Sequence, residues 1–577
     1  MTRALALAAT LVGAKALTVA GQALLDSSWA VAALVWQDVA VAAVFWAGDR
    51  AMRSSRWMWL PYGAIVVAAA IDVPVARVLG SPLTVPMLRA AGGPLSDSIR
   101  HEATVANLGA IAAVLALGAL LPRAIARVPV VIQRGLVATG MAIGLCGPIA
   151  AGRVDARGLD RNALTALAMT IMPRVTGPAA EADWRAGLSG EAPAEDLSQF
   201  RRAAAGSNVV LVVLESTAAR YLGMYGAAKD PMPRLAILGA HAIVFDHAYA
   251  VYPESIKGMF ALLSSRSPAF DVPAEAHAGA GGPPLPRLLH NAGYRTALFH
   301  SGRFGYLGMD AVVRAQGFDT ADDAGAIGGN MHSSFGVDEP STVRRLLAWI
   351  DSSPPHQPFF AMYMPVAGHH PYATPAPGPF TEPGELGAYL NALHYADEAL
   401  GELVDGLAAR GLPGRTLLVI VGDHGEAFGQ HDGNFGHTLF IYDENVHVPL
   451  VVIPPHAQEK SMGAARVERV ASAIDVAPTI LDLLGLPASP LQEGRSLLDP
   501  TPRMALFFTD YALGWLGLRD GCWKAIVEIE SGRARLFDLC ADPDETQDRA
   551  AEFPDRVRTY RARLDGWSRA SRAAVVR

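Results

Sequence analysis

The chain has 577 residues, a formal net charge of -7 and a hydrophobic fraction of 51%. That length accommodates more than one domain, and the hydrophobic fraction is high for a wholly soluble protein. The acidic balance and the lack of a basic stripe exclude a nucleic-acid binder.

The apolar surplus lies at the amino end, in five stretches at about 4–24, 28–48, 58–79, 103–122 and 129–150. Each is near the roughly 20 residues that a helix needs to cross a bilayer. The first has the form of a signal peptide, but four more follow it, so the pattern predicts a multi-span anchor. Arg50, Arg53 and Arg56 lie between the second and third stretches and Arg123 and Arg127 between the fourth and fifth. With Arg3 on the same side, the positive-inside rule makes these loops cytoplasmic and delivers everything after residue 150 to the outside. The expected setting is a bacterial-type inner membrane with an extracytoplasmic catalytic part. Lys15, Asp38 and Asp72 fall within or at the edges of the stretches and are expected to snorkel or pair near an interface. Residues 151–206 carry Ala, Gly, Glu, Arg and Pro without a sustained apolar period and read as a juxtamembrane linker.

Beyond the linker, Asn208 to Glu215 reads NVVLVVLE, an unbroken apolar run ending in a carboxylate. It is too short for a span and too uniformly apolar for a half-exposed strand, so it predicts a central parallel strand buried on both faces. A carboxylate at its carboxyl end sits where open α/β sheets bind ligands, although a helix-capping acid has the same appearance. Next, HAIVFDHAYA predicts a strand, followed by VYPESIKGMFALLSS. Ser255 there precedes an apolar helix, at whose start the dipole and free N–H groups favour an anion; a plain helix cap is the alternative. The segment LLHNAGYRTALFHSGRFGYLG predicts helix, strand and a glycine-rich loop on which His300, Arg303 and Tyr306 are placed to hold an anionic or polyol group. FFAMYMPVAGHHPY repeats the pattern, an apolar strand ending at His369 and His370.

A long amphipathic helix then leads to TLLVIVGDHGE, a second apolar strand that ends in ligand-type residues, Asp423 and His424, with His431 and His437 following in a glycine-rich region. Glu215, Asp423 and His424 offer oxygen and imidazole donors suited to zinc, manganese or magnesium, and Ser255 offers a fourth, exchangeable oxygen. Near the carboxyl end, Cys522 and Cys540 form either one disulfide or a pair of free thiols.

Six blocks in order, NVVLVVLES, GYRTALFHSG, HYADEALGEL, VGDHGE with FGHTLFIYDENVHVPLVV, AIDVAPTILDLLGL and LFDLCADPDETQD, give the chain from Asn208 to about Trp567 a resemblance to the sulfatase and alkaline-phosphatase superfamily. The resemblance implies an α/β fold, with a doubly wound, mostly parallel sheet and a small C-terminal antiparallel subdomain after the five-helix transmembrane bundle. The expected domains are 1–150 in the membrane, 151–206 as linker, 207–500 as the catalytic domain and 501–577 as its C-terminal subdomain and tail.

Matching MFALLSS to the helix after the sulfatase nucleophile places Ser255 at the catalytic position. Sulfatases mature that residue to formylglycine under the direction of a following Pro and Arg, and SIKGM has neither, so the resemblance favours an unmodified serine. The architecture resembles the lipoteichoic acid synthases and the lipid A phosphoethanolamine transferases, which use a threonine nucleophile and lack the sulfatase-like tail seen here. Carried over by position, Glu215, Ser255, Asp423 and His424 would hold one divalent metal, zinc or manganese before magnesium or calcium. His369 and His437 would act with Ser255 as phosphate or leaving-group partners, and Arg303, His300 and Lys257 would contact the substrate. The roles of His370 and His431 stay open. The expected activity is transfer or hydrolysis of a phospho head group of a membrane phospholipid, with an envelope glycan, glycolipid or water as acceptor. A sulfatase acting on a glycan or lipid, and a non-catalytic envelope binding protein, are the alternatives.

Overall fold

The computed structural model describes residues 1–21, 27–91, 99–100, 102–188, 196–333, 335–354, 356–455 and 465–576. Residues 22–24 of the first apolar stretch and 189–195 of the expected linker lie outside these. The chain forms two compact units, one holding the apolar helices and running to Arg174, the other running from Val175 to Asp510 and resuming at Gly514.

In the first unit, the apolar stretches form helices α1 (Thr2–Val19), α2 (Ala30–Ala51), α3 (Trp59–Leu79), α4 (Val105–Ala126) and α5 (Val130–Ala151). All five are long and apolar enough to cross a membrane. Their outward positions are apolar as well: Val44 is 74% exposed and Leu145 79%. Water would not favour such a surface, whereas lipid accepts it. The ionisable residues among them are partnered inside the bundle. Lys15 Nζ donates to the carbonyls of Leu159 at 2.6 Å and Arg161 at 2.7 Å, and lies 3.8 Å from Asp38. Asp72 accepts from the Leu83 amide at 2.7 Å.

The second unit is built on a sheet of eight strands. In chain order these are β1 (Asn208–Leu214), β2 (Ile243–Tyr249), β3 (Arg295–His300), β4 (Thr320–Asp322), β5 (Phe359–Met364), β6 (Thr416–Gly422), β7 (His447–Ile453) and β8 (Ala465–Ser472). Their spatial order is β8-β2-β7-β6-β1-β5-β3-β4. β1 pairs in parallel with β5 and β6, as β3 does with β4 and β5, while β7 runs against both its neighbours. The sheet is therefore mostly parallel, as the sequence predicts.

β1 lies at the centre and is buried along its whole length. Val209, Leu211 and Val213 join one apolar core, and Val210, Val212 and Leu214 join the core on the opposite face. Each such side chain contributes about 1.5–3 kcal/mol on burial, which is why the run lacks polar alternation. The helices of this unit include α6 (Ser255–Ser264), α7 (Glu339–Asp351), α8 (Glu385–Ala409) and α9 (Val476–Leu484). A separate antiparallel meander follows, of β9 (Ala505–Thr509), β10 (Trp515–Asp520), β11 (Trp523–Glu528) and β12 (Ala534–Asp538), and the chain closes with α10 (Pro554–Val575). Cys522 and Cys540, which flank the β11–β12 pair, are joined in a disulfide.

Candidate active site

Because β1, β3, β5 and β6 are parallel neighbours, their carboxyl ends share one edge of the sheet, the place where such sheets gather ligands. Glu215 follows β1, and Asp423 and His424 follow β6. Ser255 is the first residue of α6. The Ser255 Oγ donates toward Asp423 Oδ2 at 2.7 Å, lies 3.0 Å from Glu215 Oε2, and is 3.4 Å from His424 Nε2. His424 Nε2 is in turn 3.5 Å from Glu215 and 3.6 Å from Asp423. The predicted metal set thus comes together around one hydroxyl.

Local backbone geometry holds this cluster. Ser216, next to Glu215, has a left-handed φ of 50°, a conformation that persists only where its surroundings enforce it. Its amide donates to Asp423 Oδ1 at 3.0 Å, its hydroxyl to Glu215 Oε1 at 3.0 Å, and its carbonyl accepts from Tyr389 at 2.6 Å. Two glycines allow close approach: a Cβ on Gly368 would overlap the Glu215 carbonyl oxygen, and one on Gly425 the Glu444 carbonyl oxygen. At Gly425 the glycine therefore serves backbone contact rather than free bending. His424 Nδ1 donates to the Gly425 carbonyl at 2.9 Å, which aims Nε2 at the cluster.

The helix N-terminus differs from expectation. The amides of Ile256 and Lys257 are not free for an anion, because the side chain of Glu254 caps them at 2.9 and 3.2 Å. Ser255 is consequently not the cap, and its hydroxyl is left to the carboxylates.

The electrostatics follow from two buried acids facing one imidazole. Burial opposes ionisation of Glu215, but the hydrogen bond and charge of His424 outweigh it and hold the acid well below the usual carboxylate range. Burial and the adjacent Glu215 charge push Asp423 up to about 7. His424 also pays for burial, yet Asp423 and Glu215 carry it up to about 10. Protons are retained where the negative charge is uncompensated, the environment that suits a cation. The donor atoms of Glu215, Asp423 and His424 lie within 4.8 Å of one another, and two carboxylates, an imidazole and a hydroxyl fit a hard or borderline divalent ion.

Other predicted residues take varied places. His437 lies beside the cluster, its ring 4.2 Å from that of His424 and 6.0 Å from that of His369. His369 Nδ1 donates to the His370 carbonyl at 2.7 Å, and burial lowers its affinity for a proton. His300 is buried, its Nδ1 bonded to the Met364 carbonyl at 3.0 Å. Arg303 is partly exposed and reaches Met331 Sδ at 3.4 Å. Lys257 is buried and its ammonium is engaged by Asp510 at 2.9 and 3.0 Å, rather than offered to a substrate. His431 binds Glu444 at 2.7 Å and stacks on Tyr442, and His370 lies 3.4 Å from Glu385.

Sequence reasoning missed Glu426. This buried carboxylate binds His437 Nδ1 at 2.8 Å and accepts from Tyr372 at 2.9 Å, and with His424 and His437 it forms a second group able to hold a metal. The signal was present in GDHGE, where a third acid stands two residues after His424.

Comparison with known proteins agrees with this picture. The family model described as Sulfatase matches residues 207–486. Arylsulfatase K of Xenopus laevis is 28% identical over 261 residues, which is 41% of this chain and 47% of that protein. Lipoteichoic acid synthase 2 of Bacillus subtilis is 24% identical over 236 residues, 39% of this chain and 36% of the synthase. The chain thus spans less than half the length of either relative. Among solved structures, the lipoteichoic acid synthase LtaP from Listeria monocytogenes superposes with a TM-score of 0.52 at 18% identity, covering 66% of this chain and 95% of LtaP. Residues 207–486, on a chain with five membrane-length apolar helices among its described residues, match the sulfatase family model.

Proposed function

We propose that the protein is a membrane-anchored, divalent-metal-dependent phosphotransferase or hydrolase that cleaves a phosphodiester of a lipid head group, of phosphoglycerol or phosphoethanolamine type, through a covalent phosphoserine at Ser255. The observation that carries this reading is the convergence of Glu215, Asp423 and His424 on the Ser255 hydroxyl within 3.4 Å. Residues 1–150 would anchor the domain, residues 151–206 would link it to the membrane, and residues 207–500 with 501–577 would carry catalysis outside the cytoplasm. Tethering keeps the site at a high effective concentration of lipid.

A metal held by Glu215, Ser255, Asp423 and His424, zinc or manganese by donor type, would lower the hydroxyl's pKa and polarise a phosphoryl oxygen. Ser255 loses its proton toward Asp423 Oδ2, and its Oγ forms a bond to phosphorus as the bond from phosphorus to the lipid alcohol breaks. His437, oriented by Glu426, supplies the proton that the departing alkoxide takes, and His369 contacts a phosphoryl oxygen. An acceptor hydroxyl or water then gives its proton to His437 and bonds to phosphorus as the bond from phosphorus to Ser255 Oγ breaks, and Asp423 returns the proton to Oγ. Arg303, on the loop after β3, and His300, the last residue of that strand, would contact the head group.

A second reading, sulfate-ester hydrolysis, is favoured by the likeness to arylsulfatase K. Against it, Ser255 is followed by Ile256 and Lys257, and a sulfated plain serine lacks the second hydroxyl through which formylglycine sheds sulfate. The test is to incubate the purified full-length protein with a phospholipid mixture, in manganese and separately in zinc, and trap it for intact-mass measurement beside Ser255→Ala. A mass gain of a phosphoglycerol or phosphoethanolamine group, absent from the variant, is expected. An unmodified serine together with sulfate release from an aryl sulfate would overturn the phosphotransfer reading.

A further inference from the structure

Glu339 is 1% exposed and opens α7, and it is not among the residues given a role above. Its Oε1 accepts hydrogen bonds from Ser301 Oγ at 2.8 Å, the Val366 amide at 2.8 Å and the Ala367 amide at 3.1 Å, and its Oε2 accepts from the Tyr363 hydroxyl at 2.7 Å. Placing a carboxylate in the interior is costly unless its acceptor sites are filled, and here four donors fill them.

Those donors come from the ends of two strands. Ser301 follows His300 at the end of β3, and Val366 and Ala367 lead from β5 into the loop that carries His369. The two strands are parallel neighbours in register, His300 opposite Met364. The Val366 amide also donates to Ser301 Oγ at 2.8 Å, and the Ser301 amide to the Met364 carbonyl at 3.1 Å. Past the end of the sheet ladder, the two loops are therefore joined through one carboxylate. Burial pushes Glu339 up to about 7, so the join rests on geometry: four donors from the two loops and the end of β5 converge on one buried carboxyl group. The same group helps to line a cleft with Phe335, Val366, Ala367, His369 and Tyr395.

We infer that Glu339 is a positioning residue that clamps the β3 and β5 loops together and so sets where His300 and His369 stand relative to the Ser255 cluster. The inference rests on the proposed roles of those two histidines, and Glu339 itself touches no reacting atom. Partners that orient site residues at one remove typically change activity by about 10–100-fold when replaced.

The test uses the full-length detergent-solubilised protein as wild type, Glu339→Gln and Glu339→Ala. Two quantities are read: kcat and KM for bis(p-nitrophenyl) phosphate, and the rate of carbethoxylation of individual histidines by diethyl pyrocarbonate at neutral pH, from peptide masses. In Glu339→Ala, His369 and His300 should react several-fold faster while the exposed His290 is unchanged, with kcat down about 10–100-fold at constant KM and partial recovery in Glu339→Gln. Labelling of His300 and His369 that matches wild type overturns the clamp whatever the activity, and faster labelling of every histidine reduces Glu339 to a general stability role and overturns it too. If wild type turns over no phosphodiester but the selective labelling change is seen, the clamp stands and the phosphotransfer reading falls.

Discussion

Replacing Lys257 by Met separates two accounts of that residue. Its ammonium lies 2.9 and 3.0 Å from the Asp510 oxygens, with both side chains under a tenth exposed, and 4.4 Å above the ring of Tyr252. An exposed pair of this kind contributes about 1 kcal/mol or less. Removing one member of a buried pair instead leaves an uncompensated charge and costs about 3–5 kcal/mol. Methionine keeps the volume of the stem, so the cost falls on Asp510, which retains the Tyr252 hydroxyl and the Asp271 amide, each at 2.7 Å. For a unit of roughly 400 residues, an unfolding entropy of about 2.1 cal/mol/K per residue converts that cost into a fall in Tm of about 4–6 °C. Thermal melts followed by intrinsic fluorescence at one scan rate measure it. Lys257→Met/Asp510→Asn, which removes the stranded charge, should recover at least half of the loss, about 2 kcal/mol. If Lys257→Met melts within about 1 °C of wild type while its KM for the phosphodiester rises many-fold, the pairing argument is refuted and Lys257 returns to the substrate site.

Glu426→Gln should lower kcat about 10–100-fold with little change in melting, because it loosens His437 without opening the core; steady-state kinetics on the same phosphodiester decide it. Reducing the Cys522–Cys540 bond, which closes a loop with a sequence separation of 18, should destabilise the protein by about 3 kcal/mol, seen as a reductant-dependent fall in Tm that Cys522→Ser/Cys540→Ser reproduces and reductant no longer changes. Stripping the metal with a chelator should stop turnover and manganese or zinc should restore it. Rebinding should release protons, since metal needs a neutral His424 Nε2 and an ionised Asp423. With His424 raised to about 10 and Asp423 to about 7, the number released should fall from near two toward one as pH rises through 7, and affinity should rise with pH. Calorimetry in buffers of different ionisation enthalpy gives that number, and a value near zero would refute the electrostatics described for the cluster.

What the sequence disclosed and what it hid divide along a physical line. The β1 run was legible because a central strand with both faces buried must be apolar at every position, and the ends of β1 and β6 were legible because ligand-type residues placed there break that rule abruptly. Ser255 needs more: its apolar helix marks a helix start, but the sequence does not show that Glu254 beside it turns back to cap the amides of Ile256 and Lys257. Cys522 and Cys540 were undecidable from spacing alone. They meet because β11 and β12 pair in a register that sets Trp523 opposite Asp538, and pairing register belongs to two strands at once. Asp510, Glu339 and Glu426 share the same difficulty. Each is an acid whose meaning lies in its partners, and for Asp510 and Glu339 several of those partners are far away in the chain. Lys257 inverts the case, since a lysine two residues after a candidate nucleophile invites a substrate contact until Asp510, 253 positions later, is seen to hold it. Donor residues at strand ends can be found in one dimension, whereas the carboxylates that orient them are recognisable only once the fold has chosen their donors.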